Sequence, residues 1–348
     1  MKVLNLYGIQ DVRFENLPLP VIEQDDDVII KVMTAGICGS DISRFGKIGP
    51  YNPGLTWGHE FSGVVSETGS AAGGLKPGDR VVACPCFPCF ACEHCEQAQY
   101  SKCIKLEVLG GQRKGAFAEY IRVPAANVIT IPDDLGFDEA SFVEPSAVVV
   151  HGLDQVCIPA GSSVVVVGCG TIGQLAVQWA RIYGAGKVYA CDTDEFKLSV
   201  ASAAGAETTF NVTEKDFSHK FNDTTRGGVD LVIESSGNAA GIASAMNLAR
   251  KGGTVLLLGI PYGDVVFDRN SFEKIIRNEL TVKGSWNSLS APFPGREWGT
   301  SLDYMEKGML KSSLLVTHRI SLEEAPALFP QLYGREFDFI KVLIEISK

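Results

Sequence analysis

The sequence predicts an α/β protein in which a mostly β domain accompanies a doubly wound parallel-sheet domain. Three observations carry this. Four consecutive valines, Val164 to Val167, suit a parallel strand buried on both faces. Gly168, Gly170 and Gly173 follow at once in the order G-x-G-x-x-G. Residues 1 to about 150 instead carry short β-branched runs broken by Gly and Pro, before strand and helix patterns begin to alternate from Ser163 to about Trp286.

The glycine stretch reads element by element. The first glycine permits a tight turn, the second lets backbone approach a pyrophosphate, and the third lets a helix pack closely on the strand. Ile172, Leu175, Ala176, Trp179, Ala180 and Tyr183 then form one apolar helical stripe. Lys187 to Cys191 reads as the next strand, and Asp192 ends it where an acid can bind a ribose 2′-hydroxyl. Gly168, Gly170, Thr171, Ile172, Gly173, Asp192 and Gly259 are therefore candidate dinucleotide contacts. Lys197 is also nearby, although a solvated helix lysine is the plainer reading. NAD is favoured over NADP because Asp192 would repel a 2′-phosphate and Thr193 offers no positive charge.

At 348 residues the chain is long enough for two cores. Its formal net charge of -10 argues against a general nucleic-acid or membrane-surface role, since phosphate backbones and anionic lipids would be repelled. The N-terminus lacks the apolar core of a signal peptide, and no apolar run approaches a membrane span, so the expected address is cytosolic. Ten cysteines in that compartment point to metal or buried thiols before disulfides.

Along the first domain, strands are expected at Asp27 to Met33, Phe61 to Glu67, Arg80 to Ala83 and Ala118 to Val123. Cys38 and His59 lie between them in glycine-flanked turns, and Glu60 adjoins the histidine. Alone, each would pass as a buried thiol or a satisfied core histidine. Glu144 changes that reading, because an acid in an otherwise apolar helix start demands a partner or a cation. One thiolate, one imidazole and one carboxylate with a position left open form the ligand set of a catalytic zinc. Separately, Cys89, Cys92, Cys95 and Cys103 have the spacing of a closed four-thiolate zinc site. Cys84 and Cys86 remain open as substitutes, and His94 reads as solvated.

The second domain is expected to continue with strands at Leu231 to Ser235, Thr254 to Gly259 and Leu280 to Gly284, and a helix over Ala240 to Arg250. After Trp286 the pattern is irregular until a last strand at Lys341 to Ile346 returns to the first domain. The expected division is thus 1–152, with a zinc lobe at 84–103, then 153–286, then 287–348.

Gly58-His59-Glu60 with Gly63 and Gly69, the run Lys76 to Val81, the four-cysteine lobe, Gly115 to Tyr120 and the glycine fingerprint occur in one order along the chain. In that order it resembles the zinc-dependent medium-chain alcohol and polyol dehydrogenases over essentially its whole length. The resemblance implies a GroES-like catalytic domain and a Rossmann domain. It implies Cys38, His59 and Glu144 as catalytic-zinc ligands, with Glu60 auxiliary, and Cys89, Cys92, Cys95 and Cys103 around a structural zinc. It further implies NAD-linked oxidation of a secondary alcohol, and a homodimer or homotetramer joined through the strand near Leu280 to Gly284. The family's proton-relay histidine is replaced by Ser43, which shifts that role to Ser40 or Glu144.

Within that family, Cys38 to Asp41, the PCFAC run of the lobe and Leu280 to Trp298 most resemble enzymes acting on polyol phosphates, with unphosphorylated polyols or threonine as alternatives. A phosphate dianion needs converging donors, for which the candidates are Lys47, Arg113, Lys114 and Arg296 in loops flanking the expected cleft. Two rival readings are weighed: a non-catalytic zinc-binding module, opposed by the acidic balance, and a metal-free reductase of the same fold, opposed by the ligand trio.

Overall fold

The valine run forms a strand buried on both faces, with Val164, Val165 and Val166 fully inaccessible. The computed structural model describes residues 1–347 and divides the chain into two compact units. One comprises residues 1–147, 288–308 and those from 316 onward; the other comprises 148–287 and 309–315. The division falls inside the helix Val143–Leu153, between Ala147 and Val148, rather than after Gly152.

In the first unit the strands are β1 (Lys2–Gly8), β2 (Asp11–Asn16), β3 (Asp27–Gly36), β4 (Leu55–Thr56), β5 (Glu60–Thr68) and β6 (Arg80–Ala83). They continue with β7 (Cys86–Phe87), β8 (Glu107–Val108), β9 (Tyr120–Pro124) and β10 (Val128–Thr130). The other unit supplies β11 (Ser163–Val167), β12 (Lys187–Asp192), β13 (Thr208–Asn211), β14 (Val229–Glu234), β15 (Ala249–Leu257) and β16 (Thr281–Gly284). β17 (Val316–Ser321) and β18 (Lys341–Glu345) return to the first.

β3 is the centre of the first unit, pairing antiparallel with β5, β9 and β18. These partners belong to a seven-stranded sheet, so the C-terminal strand lies beside one of the earliest. Trp57, Phe117 and Phe329 pack below it, with the Trp57 and Phe329 centroids 4.6 Å apart, and fix the turn that leads into His59. In the second unit the order β13-β12-β11-β14-β15-β16 is that of a doubly wound sheet, parallel throughout.

Two expectations need correction. The segment after Trp286 is ordered, with helices Arg296–Glu306 and Ala325–Gly334 around β17. Trp298, Leu302 and Met305 form the buried stripe of the first, and the second contains Pro326 in its first turn and Pro330 inside, residues that ordinarily signal a break. The helix expected to reach Arg250 ends at Leu248, because β15 begins at Ala249, in register with Val229. No helix of the described residues is long and apolar enough to cross a membrane.

Candidate active site and metal centres

Cys38 follows β3 and caps the short helix Gly39–Ser43, on which Ser40 is half-buried. Asp41, almost inaccessible, accepts a hydrogen bond from the Cys38 backbone N–H through Oδ2 (2.9 Å). Its Oδ1 lies 3.7 Å from His59 Nδ1. A carboxylate there favours a proton on Nδ1 and leaves Nε2 free to ligate. His59 itself is placed by Gly58, whose φ of +90° and contact with the Phe117 ring exclude a side chain. Replacing Asp41 by Asn should therefore lower zinc affinity at the catalytic site about 10- to 100-fold in a chelator competition. Unchanged affinity would show that Asp41 does not orient the imidazole.

The donor atoms of Cys38, His59 and Glu60 all lie within 4.8 Å of one another, and Glu144 does not join that set. Glu60, the first residue of β5, pairs with Lys341, the first residue of β18, and both are shut off from solvent. Lys341 Nζ also donates to the Ile37 carbonyl (3.2 Å). The space they fill exists because position 36 is glycine: a Cβ there would come 2.6 Å from Glu60 Oε2.

Glu144, half-buried in the first turn of Val143–Leu153, is pushed up to about 7 by burial and by Glu60 and Asp41, against the pull of His59 and Lys341. Burial likewise raises Asp41. Burial alone would depress His59, yet Asp41 and Cys38 hold it well above its ordinary range. Three carboxyls and a thiol thus converge with one lysine. That excess of soft and hard anionic donors fits a divalent zinc ion.

The second cluster lies on the lobe beside β7. The sulfurs of Cys89, Cys92, Cys95 and Cys103 are mutually within 4.8 Å. Cys89 and Cys95 are 4.0 Å apart, close to the about 3.8 Å that tetrahedral zinc with ordinary Zn–S bonds imposes. Cys89 N–H donates to Cys103 Sγ at 3.2 Å. Backbone N–H groups from Ile104 and Cys95 pull Cys92 down to about 6, whereas burial and the neighbouring thiols push Cys95 up to about 12. Such crowded thiols ionise together only around a cation, so this set also fits zinc. Cys84 and Cys86 stand outside the four, buried where Asn127 Nδ2 holds both their carbonyls.

In the other unit, Gly168 has φ of +87°, and a Cβ on Gly173 would strike the Gly168 carbonyl oxygen at 1.8 Å. Nothing lies within 4 Å of the equivalent point on Gly170, the cap of helix Thr171–Ile182. The loop is thus closed where helix meets strand and open where a phosphate would approach. Asp192 ends β12, with Oδ2 accepting from Cys169 N–H (2.6 Å) and Oδ1 from Thr193 N–H (2.7 Å). Thr171 and Ile172 are half-buried on the helix start, and Gly259 follows β15, where a Cβ would meet Gly237 N at 2.2 Å. Lys197 Nζ lies 3.7 Å from Asp194, the residue capping its helix.

Residues 24–133 match the alcohol dehydrogenase GroES-like domain, and residues 171–303 match the zinc-binding dehydrogenase domain. Galactitol 1-phosphate 5-dehydrogenase of Escherichia coli K12 is 37% identical over 322 residues, 90% of each chain. The chain belongs to the zinc-binding alcohol dehydrogenase family. Members of this family are oxidoreductases, and the relatives are named for galactitol 1-phosphate, sorbitol, D-xylulose and L-threonine. The Escherichia coli galactitol-1-phosphate dehydrogenase crystal structure superposes with a TM-score of 0.93 at 35% identity, covering 99% of this chain and 100% of that one. Sorbitol dehydrogenase of Bacillus subtilis is 30% identical over 99% of this chain and 97% of its own. A Sinorhizobium meliloti protein described as a zinc-binding dehydrogenase and solved with NADP is 33% identical, with a TM-score of 0.89 and coverage of 99% and 98%.

The four basic candidates fare unequally. Arg113 is committed to Glu107 (2.7 Å) and to the Phe87 ring (4.2 Å) on the lobe. Lys114 is exposed, as expected of a loop residue. Lys47 and Arg296 are exposed too, but on helical turns, Arg44–Ile48 and Arg296–Glu306, rather than in loops. His94 and His151 are half-buried, His219 is an exposed partner of Asp223 (3.2 Å), and His318 stacks against Phe337. Two functional residues escape the sequence reading. Asp41 could have been found from its place three residues after Cys38, and Lys341 from being a lone cation opening the apolar run KVLIEI.

Proposed function

We propose that this chain oxidises a secondary hydroxyl of a polyol phosphate with NAD, taking galactitol 1-phosphate to tagatose 6-phosphate. The observation that carries it is the convergence of Cys38, His59 and Glu60 with Glu144 alongside, a donor set for zinc in which three ligands would leave a fourth position for substrate. When bound, zinc supplies Lewis acidity that stabilises the deprotonated alcohol, from which hydride leaves readily. Asp41 orients His59, and Lys341 pairs with Glu60 within the same donor set. Ser40 or Glu144 passes the hydroxyl proton toward water and the cofactor ribose, taking the place of the histidine that Ser43 replaces. Asp192, its oxygens held by backbone N–H groups, accepts from the ribose 2′-hydroxyl and disfavours NADP.

Phosphate is read by Lys47, Lys114 and Arg296. Turnover of galactitol 1-phosphate, galactitol and sorbitol, each with NAD and NADP, tests this. The phosphorylated polyol with NAD should be preferred. Alanine at a true phosphate contact should cost about ten- to a hundredfold in kcat/KM on that substrate alone. Equal activity on phosphorylated and free polyols would leave a plain polyol dehydrogenase, and faster turnover with NADP would remove the role of Asp192.

Subunits join through β16, whose four residues, Val282 among them, are exposed, as are Phe272 and Ile276 on the preceding helix. Sedimentation as a dimer or tetramer is expected, and a monomer would contradict it.

A further inference from the structure

The last residue of β14, Glu234, is a carboxylic acid with no solvent exposure, and among the described residues no ion pair reaches it. Its Oε1 accepts from the Ser236 N–H at 2.9 Å and from the Ser236 hydroxyl. Its Oε2 has no hydrogen-bond partner. Two glycines clear the room it occupies: a Cβ on Gly259 would come 2.5 Å from Oε2, and one on Gly241 3.3 Å from Oε1. A buried, unpaired acid is costly, and a chain that keeps one needs it for more than packing.

What it holds is the floor of the glycine loop. Ser235 N–H donates to the Val167 carbonyl at 2.9 Å, and Ser235 Oγ donates to the Gly168 carbonyl at 2.7 Å. Ser236 packs so tightly under Gly168 that a Cβ there would lie 2.6 Å from the serine Cβ. On its other side the Gly168 carbonyl abuts Gly173, where the helix begins. The first glycine of the loop is therefore gripped from both sides, and one grip depends on where Ser235 and Ser236 sit.

We propose that Glu234 is a positioning residue for the dinucleotide: by holding Ser236 it sets Ser235 against the Gly168 carbonyl and so fixes the mouth of the loop that receives the cofactor. This rests on the dinucleotide reading of that loop. Burial pushes the Glu234 carboxyl above its usual range, against the lowering pull of the Ser236 and Gly237 donors. Glutamine, of the same shape and with the same Oε1 acceptor for Ser236, should serve in its place, whereas alanine releases Ser236.

Purified, zinc-loaded full-length protein is titrated with NAD and NADP by fluorescence, and KM, kcat, zinc content and melting temperature are measured in parallel. In Glu234→Ala the Kd and KM for the cofactor should rise about tenfold or more, while kcat at saturating cofactor stays within about threefold and zinc content is unchanged. Glu234→Gln should stay within about threefold of the parent in Kd. Ser235→Ala, which leaves the acid in place and removes only the hydroxyl bonds to the Gly168 and Val167 carbonyls, should weaken cofactor binding in the same sense. The proposal is overturned if Glu234→Ala binds cofactor as the parent does, if Glu234→Gln is as weak as Glu234→Ala, or if kcat falls while KM stays. Should Glu234→Ala not fold, Ser235→Ala and Ser236→Ala decide, and parental Kd in both overturns it. A parent that binds neither NAD nor NADP sinks the dinucleotide reading and this inference with it; a parent that binds, with unchanged variants, sinks this inference alone.

Discussion

Replacing Cys38 by serine is expected to lower kcat/KM at least ~10³-fold while leaving cofactor affinity unchanged. A serine hydroxyl does not ionise at neutral pH, so the donor set keeps His59 and Glu60 but loses its only thiolate. Lewis-acid stabilisation is worth several kcal/mol, and at about 1.4 kcal/mol per decade that is roughly three decades of rate. Cofactor affinity is spared because the glycine loop at Gly168 to Gly173 belongs to the other compact unit. Zinc content and NAD titration of the variant, beside its turnover, check both halves. Undiminished turnover would favour the metal-free reductase reading.

Replacing Lys341 by methionine is expected to cost about 3–5 kcal/mol of stability, because it strands Glu60 as an unpaired buried acid. Lys341 is fully inaccessible and Glu60 nearly so, so solvent screens little of this. The double variant Lys341→Met with Glu60→Gln should recover most of the loss, since the charge that needed a partner is gone. Urea midpoints of parent, both single variants and the double variant read the coupling directly. A Lys341→Met protein as stable as the parent would show that Glu60 is protonated or otherwise satisfied.

Much of the site was legible because its residues are constrained by local geometry. Gly168, Gly170 and Gly173 announce themselves because each answers a different local demand, of turn, open approach and close packing, and all three demands recur in the structure. The lobe cysteines are close in sequence, so spacing alone nearly assembles them; only the Asn127 side chain, which binds the carbonyls of Cys84 and Cys86, separates the four from their neighbours.

Long-range partners were not legible. Glu60 and Lys341 are brought together by β5, β3 and β18 lying side by side, and no local pattern encodes that adjacency. Nor does sequence say which of Glu60 and Glu144 stands nearer Cys38 and His59, since both are acids in apolar surroundings. The helices at 296–306 and 325–334 were hidden by glycine and proline, whose local preference is overridden by the buried stripes of Trp298, Leu302 and Met305 and of Ala325, Phe329 and Leu332.

The central claim is that Cys38, His59 and a neighbouring carboxylate hold zinc for NAD-linked oxidation of a polyol. The most direct measurement is NAD reduction with a polyol or polyol phosphate by protein stripped with a chelator and then titrated with zinc, the parent beside Cys38→Ser. The account predicts background turnover in the stripped parent, recovery in proportion to zinc taken up, and no recovery in the variant. Turnover that persists without zinc, or that zinc restores equally to Cys38→Ser, would contradict it.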